Sequence, residues 1–323
     1  MRLSMSLRQA TNPPSHVLDI PTGRLKMDIV TPRWQKSKVV ILMGATGTGK
    51  SRLSLDLAMQ FPAEIINSDK MQVYKGLEVT TNKITEEESS GVPHHLLGVV
   101  NPNADFTAKD FCNMASLTIE SISIRGLLPI IVGGSNSYIE ALVDDPEFKF
   151  RSRYDCCFLW VDVSMLVLKE FLYKRVDEMV NKGMVDEVRN IFDPNADYSR
   201  GIRKSIGVPE LDKHFRSELF LDEEESARVL QEAIREIKSN NYKLALRQVE
   251  KIRRLKNVKG WNIHRIDATE FFRNKDDDEM WKTLVGRPSI AIVRRFLYSL
   301  TATGSSSVSA GTAKDYIAQC LVS

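Results

Sequence analysis

Residues 38–51 read KVVILMGATGTGKS. The five apolar residues from Val39 to Met43 run unbroken into a glycine-rich turn. Such a run reads as a strand buried on both faces, as in the centre of a parallel sheet. The stretch SRLSLDLAMQF (51–61) then spaces its apolar residues as a helix does. Between them, Gly44–Ser51 matches G-x-x-x-x-G-K-[ST]. Its glycines let the backbone wrap a phosphate with N–H groups turned inward, and the helix N-terminus adds partial positive charge. Lys50 supplies a full charge, and Ser51 offers a hydroxyl to Mg²⁺. Strand, loop and helix predict an α/β fold, a P-loop NTPase-like parallel sheet flanked by helices. The motif binds a polyphosphate without saying which group is transferred.

Outward from this stretch the alternation continues. AEIINSD (63–69), HHLLGVV (94–100), LLPIIVGG (127–134) and CCFLWVDV (156–163) read as strands, with FCNMASLTIESISI (111–124) as a helix. WNIHRIDAT (261–269) reads as a late strand returning to the sheet. Residues 164–257 are mostly helical, with a break expected at Gly183 and one or two long helices over 222–255. NKDDDE (274–279) reads as a solvated acidic loop and TATGSSSVSAGTA (301–313) as a flexible tail. The expected organisation is an arm at 1–37, a core at 38–270, and a C-terminal helix and tail at 271–323.

Composition narrows the class. With 323 residues, 42% hydrophobic and 27% charged, the chain can build a large core. No apolar run approaches the roughly 18–20 residues that cross a bilayer, so no membrane role is expected. Cys112, Cys156, Cys157 and Cys320 have no CxxC spacing and suggest reduced thiols. Of 45 basic and 42 acidic residues, six basic and two acidic fall in 1–37, which leaves 39 and 40. The body of the chain is therefore not basic, which argues against nucleic acid. The leader itself is basic, acid-poor and rich in hydroxyls, as organelle transit peptides are. A plastid location is expected on that ground, the alternative being a disordered arm on a cytoplasmic protein.

The second strand ends on Asp69. Ligands of open parallel sheets bind beyond the carboxyl ends of strands, so this carboxylate faces the phosphate crevice. It is either a working acid or a turn and capping residue. Asp162, ending CFLWVD, reads equally as a metal-associated acid or a turn residue. His94 and His95 carry no assigned role and read as structural residues.

The ordered set GATGTGKS, NSDKMQVYKGLEVTTNK, GVPHHLLG, IIVGGSNSYIEAL, FLYKRVDEMVNKGMVDEV, GIRKSIGVPEL and LALRQVEKIRRL resembles the isopentenyltransferase family. The resemblance covers about residues 38–270 and is nearest to the plant adenylate branch, which makes cytokinins. It implies transfer of a dimethylallyl group from dimethylallyl diphosphate to the N6 amine of adenine. By this resemblance Gly47, Thr48, Gly49 and Lys50 hold the donor diphosphate, with Mg²⁺ at Ser51. Thr46 lies near the reacting groups, Asp69 is the general base, and Thr81 helps hold the adenine amine. Arg175 and Arg247 grip the diphosphate. Arg203, Lys204 and Lys238 are candidates for an acceptor's phosphate tail, ATP and ADP being favoured over AMP, or are simply a solvated basic face.

Two rivals stand beside this reading. A tRNA acceptor is disfavoured, because only DDPEFKFRSRYD (144–155) occupies the place where tRNA enzymes carry a helical insertion. Nor can five histidines and these cysteines build a C₂H₂ zinc element. A P-loop kinase of a small metabolite would share the fold and use the second-strand acid as a base. A nucleotide-dependent switch or scaffold is the weakest. The sequence fixes no oligomeric state and is compatible with a monomer.

Overall fold

The structure is a computed structural model that describes residues 36–274 and 277–299. The expected leader lies outside these residues apart from its last two positions, and so do the 301–313 tail and two positions of the 274–279 loop. Strand β1 (Ser37–Gly44) enters α1 (Lys50–Gln60), followed by β2 (Ala63–Asn67). A short α2 (Glu86–Ser89) precedes β3 (His94–His95). Helix α3 (Ala108–Ile124) starts on a capping box between Thr107 and Asp110 and buries Phe111, Ala115, Ile119 and Ile122. Then come β4 (Leu128–Val132), α4 (Asn136–Asp144), α5 (Phe150–Arg153) and β5 (Tyr154–Asp162). The helical part follows: α6 (Met165–Asn181), α7 (Met184–Arg189), α8 (Val208–Ser217) and α9 (Glu223–Asn257). The described chain closes with β6 (Ile263–Asp267), α10 (Thr269–Arg273), α11 (Asp278–Trp281) and α12 (Arg287–Tyr298).

The strands form one parallel sheet in the order β3-β2-β4-β1-β5-β6. Val40 sits opposite Ile130 on one side and Cys157 on the other. Val39 through Met43 are fully buried, as a strand covered on both faces must be. β2 and β4 lie to one side of β1, and β5 and β6 to the other. The order therefore reverses at β1, and a crevice opens beyond its carboxyl end, where the phosphate loop sits.

Three local outcomes refine the sequence reading. The strand expected over 94–100 shrinks to His94–His95, because Leu96 (φ 59°) and Gly98 (φ 62°) take left-handed backbone. Gly183 (φ 92°) breaks α6 from α7, as expected. Over 223–257 neither Gly nor Pro occurs, so α9 runs as one helix of 35 residues. It is tied to α4 by Glu140, which meets Lys251 (2.5 Å), Lys259 (2.9 Å) and Arg254. Burial alone would push the Glu140 carboxyl up, but these cations outweigh it and hold it at about 2.

Residues beyond 270 do not stand apart from the core. Trp281, Val285 and Val293 are buried in the same apolar cluster as the sheet. Lys38 Nζ donates to the carbonyls of Phe296 and Leu297, each at 2.7 Å, binding the end of α12 to the start of β1.

Candidate active site

The phosphate loop leaves β1 at Gly44 and enters α1 through Gly49, whose φ of 84° favours glycine. Gly49 offers no side chain as a cap, and the first turn of α1 holds no acid. Neither a side-chain cap nor an acid thus serves the first N–H groups of that turn, the arrangement in which a helix N-terminus can take an anion. Lys50 Nζ donates to Ala45 O at 2.6 Å, which holds the ammonium across its own loop. Burial pulls the Lys50 pKa down to about 8; the Asp69 charge works against that shift and Arg175 adds to it.

Asp69 follows β2 by two residues, in a turn fixed by Asn67. The Asn67 carboxamide accepts from Asp69 N (3.0 Å) and donates to Asp69 O (3.1 Å) and Leu96 O (3.0 Å). Asp69 Oδ1 accepts from Met71 N at 2.9 Å. Part of the carboxylate is therefore a turn residue. Oδ2 accepts no hydrogen bond among the described residues and lies 3.7 Å from where a Cβ on Gly134 would sit. The glycine pair after β4 is sterically required here. A Cβ on Gly133 would strike Ser68, and one on Gly134 would strike Gln248 Nε2.

Helices α6 and α9 wall the crevice. From α6 come Phe171, Arg175, Glu178 and Met179; from α9 come Asn241, Leu244, Arg247, Gln248 and Lys251. Both sets recur at helical spacing, so each is one face. Arg175 Nη2 donates to Thr46 Oγ1 at 2.9 Å. Burial lowers the Arg175 pKa to about 10, with Asp69 and Glu178 opposing the shift, so it remains a cation at neutral pH.

The resulting cavity of about 860 Å³ is lined by the loop and by Asp69 together. That is room for two small substrates. Of the residues singled out in the sequence, Thr46, Gly47, Gly49, Lys50 and Ser51 line it, as do Asp69, Thr81, Arg175, Lys204 and Arg247. Thr48 instead lies beneath the loop, 1% exposed, with Oγ1 donating to Ala45 O (3.0 Å). Arg203 and Lys238 do not line the cavity. Arg203 turns to Asn103 and to Ile191 O (3.3 Å), and Lys238 pairs with Asp177 at 2.6 Å. A basic run on short turns and helices presents its members to different sides, which composition cannot reveal. Asp162 is likewise taken, accepting from Arg265 Nε at 2.6 Å. His95 bonds Glu64 at 2.7 Å, a structural pair at the sheet edge. His94 lines the cavity, and burial lowers its pKa.

Three residues that lie within the quoted stretches, but were given no role there, also shape the site. Gln248 Oε1 accepts from Thr46 N (2.7 Å) while its Nε2 donates to Gly134 O (3.1 Å). Glu187 on α7 accepts from Val79 N (3.0 Å), Thr80 N (2.7 Å) and Thr80 Oγ1 (2.6 Å), fixing the turn that carries Thr81. Gln72 Nε2 donates to Thr81 O (3.1 Å), joining that turn to the Asp69 segment. The sequence signal for Gln248 is its place in LALRQVEKIRRL, beside Arg247.

Ser51 is exposed to the cavity in the first turn of α1. Among the described residues no three His, Cys, Asp or Glu side chains gather into a metal cage. The Ser51 hydroxyl fits a Mg²⁺ that takes its other ligands from substrate phosphates and water, since this ion keeps several waters and leans on substrate phosphates.

The IPP transferase family model matches residues 72–152 and 145–255. The protein named adenylate isopentenyltransferase 3, chloroplastic, of Arabidopsis thaliana is 54% identical, covering 100% of this chain and 99% of that protein. Adenylate isopentenyltransferase 7, mitochondrial, of the same plant is 48% identical over 92% of this chain and 90% of its own. A crystal structure of a eukaryotic dimethylallyltransferase acting on tRNA superimposes with a TM-score of 0.69 at 24% identity, covering 82% of this chain and 80% of that one. A family model matched over more than half of the chain, and 54% identity over the full length of a named relative, make this chain a member of the IPP transferase family.

Proposed function

We propose that the protein transfers the dimethylallyl group of dimethylallyl diphosphate to the N6 amine of a free adenine nucleotide, the first step of cytokinin biosynthesis. The observation that carries the reading is the joint lining of one cavity by the phosphate loop and by Asp69. A diphosphate on the loop and an amine at Asp69 then meet across the reacting carbon.

The chemistry follows from these positions. The adenine N6 lone pair is delocalised into the ring, so the amine is a poor nucleophile. As N6 bonds to the allylic carbon, the C–O bond to the diphosphate breaks and the leaving group keeps both electrons. The nitrogen becomes cationic, and Asp69 Oδ2 accepts its proton, a role that contributes typically about 10²–10⁴-fold. Charge builds on the diphosphate, and the loop with Lys50, Arg175 and Arg247, which line the same cavity, would meet it. Mg²⁺ at Ser51, when bound, would neutralise further charge on the diphosphate. Thr81, in the turn held by Glu187, supports the amine. No covalent enzyme intermediate is needed.

Lys204 stands at the cavity with Lys70, and this basic lining supports ATP and ADP over AMP as acceptors. A free nucleotide is favoured over tRNA because only the four-residue α5 occupies the short 144–155 connection. A plastid location rests on the basic leader and on the chloroplastic name of a 54% identical relative. Mass-spectrometric product analysis with AMP, ADP, ATP and tRNA in competition tests the reading. Prenylated ADP and ATP are expected. Prenylated tRNA alone, or a phosphorylated metabolite made without dimethylallyl diphosphate, would overturn it.

A further inference from the structure

We infer that Trp281 is a positioning residue for the donor diphosphate, so that the C-terminal segment from Asp277 onward completes the phosphate loop. The inference rests on the reading that this loop holds the diphosphate, and it reaches past residue 255, where the family match ends.

Trp281 is 1% exposed, and its six-membered ring lies directly behind Gly49. A Cβ at Gly49 would stand 2.5 Å from Trp281 Cη2 and 2.8 Å from Cζ3, so the ring packs on the glycine's own backbone. Gly49 is the left-handed residue through which the loop turns into α1, and it sets where the loop's N–H groups point. The ring in turn is held from several directions. Its Nε1 donates to Asp56 Oδ2 at 2.7 Å, about two turns along α1 from Gly49. Phe271 meets it edge-on at 5.0 Å. The Arg52 guanidinium lies 4.7 Å from the ring centroid and is itself tied to Asp278 at 2.7 Å. A π-helical turn at Lys282–Gly286 follows at once, an irregularity of a kind that recurs beside functional sites. The glycine provides the turn's conformation, and the indole excludes the neighbouring conformations that a glycine would otherwise sample. Trp281 does not touch the cavity, so it acts through Gly49.

The test compares Trp281→Leu, Trp281→Phe and Asp56→Ala in the full chain. Donor affinity is read by calorimetry with dimethylallyl diphosphate and acceptor KM by kinetics, at a temperature where melting curves show each variant folded. Trp281→Leu should weaken donor binding about tenfold, since small misplacements at a site can cost up to about 10²-fold. Acceptor KM should stay within about twofold. Trp281→Phe keeps an aromatic plate behind Gly49 and should recover most of the donor affinity. If Trp281→Leu does not fold, Asp56→Ala, which frees the indole without emptying the core, should still weaken the donor selectively. A folded Trp281→Leu or Asp56→Ala with unchanged donor affinity, or an equal loss for donor and acceptor, overturns the inference. Lys50→Ala in the same assay separates the two readings. If it too leaves donor affinity intact, the diphosphate sits elsewhere and the premise itself has failed.

Discussion

The amide of Thr46 donates to Gln248 Oε1 at 2.7 Å across 202 positions of sequence. The same carboxamide donates to Gly134 O at 3.1 Å, on a glycine whose added Cβ would stand 3.7 Å from Asp69 Oδ2. One buried side chain of α9 thus joins the phosphate loop to the end of β4, the strand paired with the β2 that leads to Asp69. Replacing it by leucine keeps the volume and strands two backbone groups, each costing about 1–3 kcal/mol if left unpaired. Gln248→Leu is expected to lower the melting temperature by several degrees and turnover by about 10²-fold. A steady-state assay beside a thermal melt checks both.

Donor binding should depend on Lys50. Burial lowers its pKa to about 8 in the protein alone, and a bound diphosphate favours the charged ammonium. Below pH 8 the lysine is already protonated, and affinity is flat. Above pH 8 it must take up a proton on binding, so affinity should fall by up to about tenfold per unit. Arg175, near 10, stays charged over that range. Calorimetry between pH 7 and 9.5 should show this slope in the native chain and lose it in Lys50→Ala, with weaker binding throughout.

Glu187 offers a prediction confined to the acceptor side. It holds Val79 N, Thr80 N and Thr80 Oγ1, and among the described residues makes no hydrogen bond to the phosphate loop. Glu187→Ala frees the turn that carries Thr81. Acceptor KM is expected to rise about tenfold while donor KM stays unchanged, given the cost of small misplacements. Glu187→Gln keeps one acceptor oxygen and should fall between. An equal rise in both KM values would mean that the turn serves the fold as a whole.

Sequence reasoning reached the parts of this site that are local in the chain. A phosphate loop is one strand end, one turn and one helix start, so GATGTGKS carries its own geometry. Asp69 was legible because a parallel sheet puts strand ends at the crevice. The central strands were legible from their apolar runs, but the 94–100 strand was not, since left-handed Leu96 and Gly98 cut it short. Gln248, Glu187 and Trp281 act on residues 202, 107 and 225 positions away, and no periodicity announces such contacts. Arg203 and Lys238 failed as cavity residues for the converse reason: their charge is visible in sequence, but their direction is decided by Asn103 and Asp177. The helix expected beyond 270 was legible, but its place was not: Trp281 and Val293 are buried among the sheet's own apolar residues.

The central claim is that Asp69 takes the proton of the amine while the loop holds the leaving group. Single-turnover formation of the prenylated nucleotide by Asp69→Ala, with dimethylallyl diphosphate affinity measured on the same preparation, tests it most directly. The predicted result is a loss of about 10²–10⁴-fold in rate with donor affinity preserved. Full activity in Asp69→Ala, or a loss of rate explained wholly by lost donor binding, would contradict it.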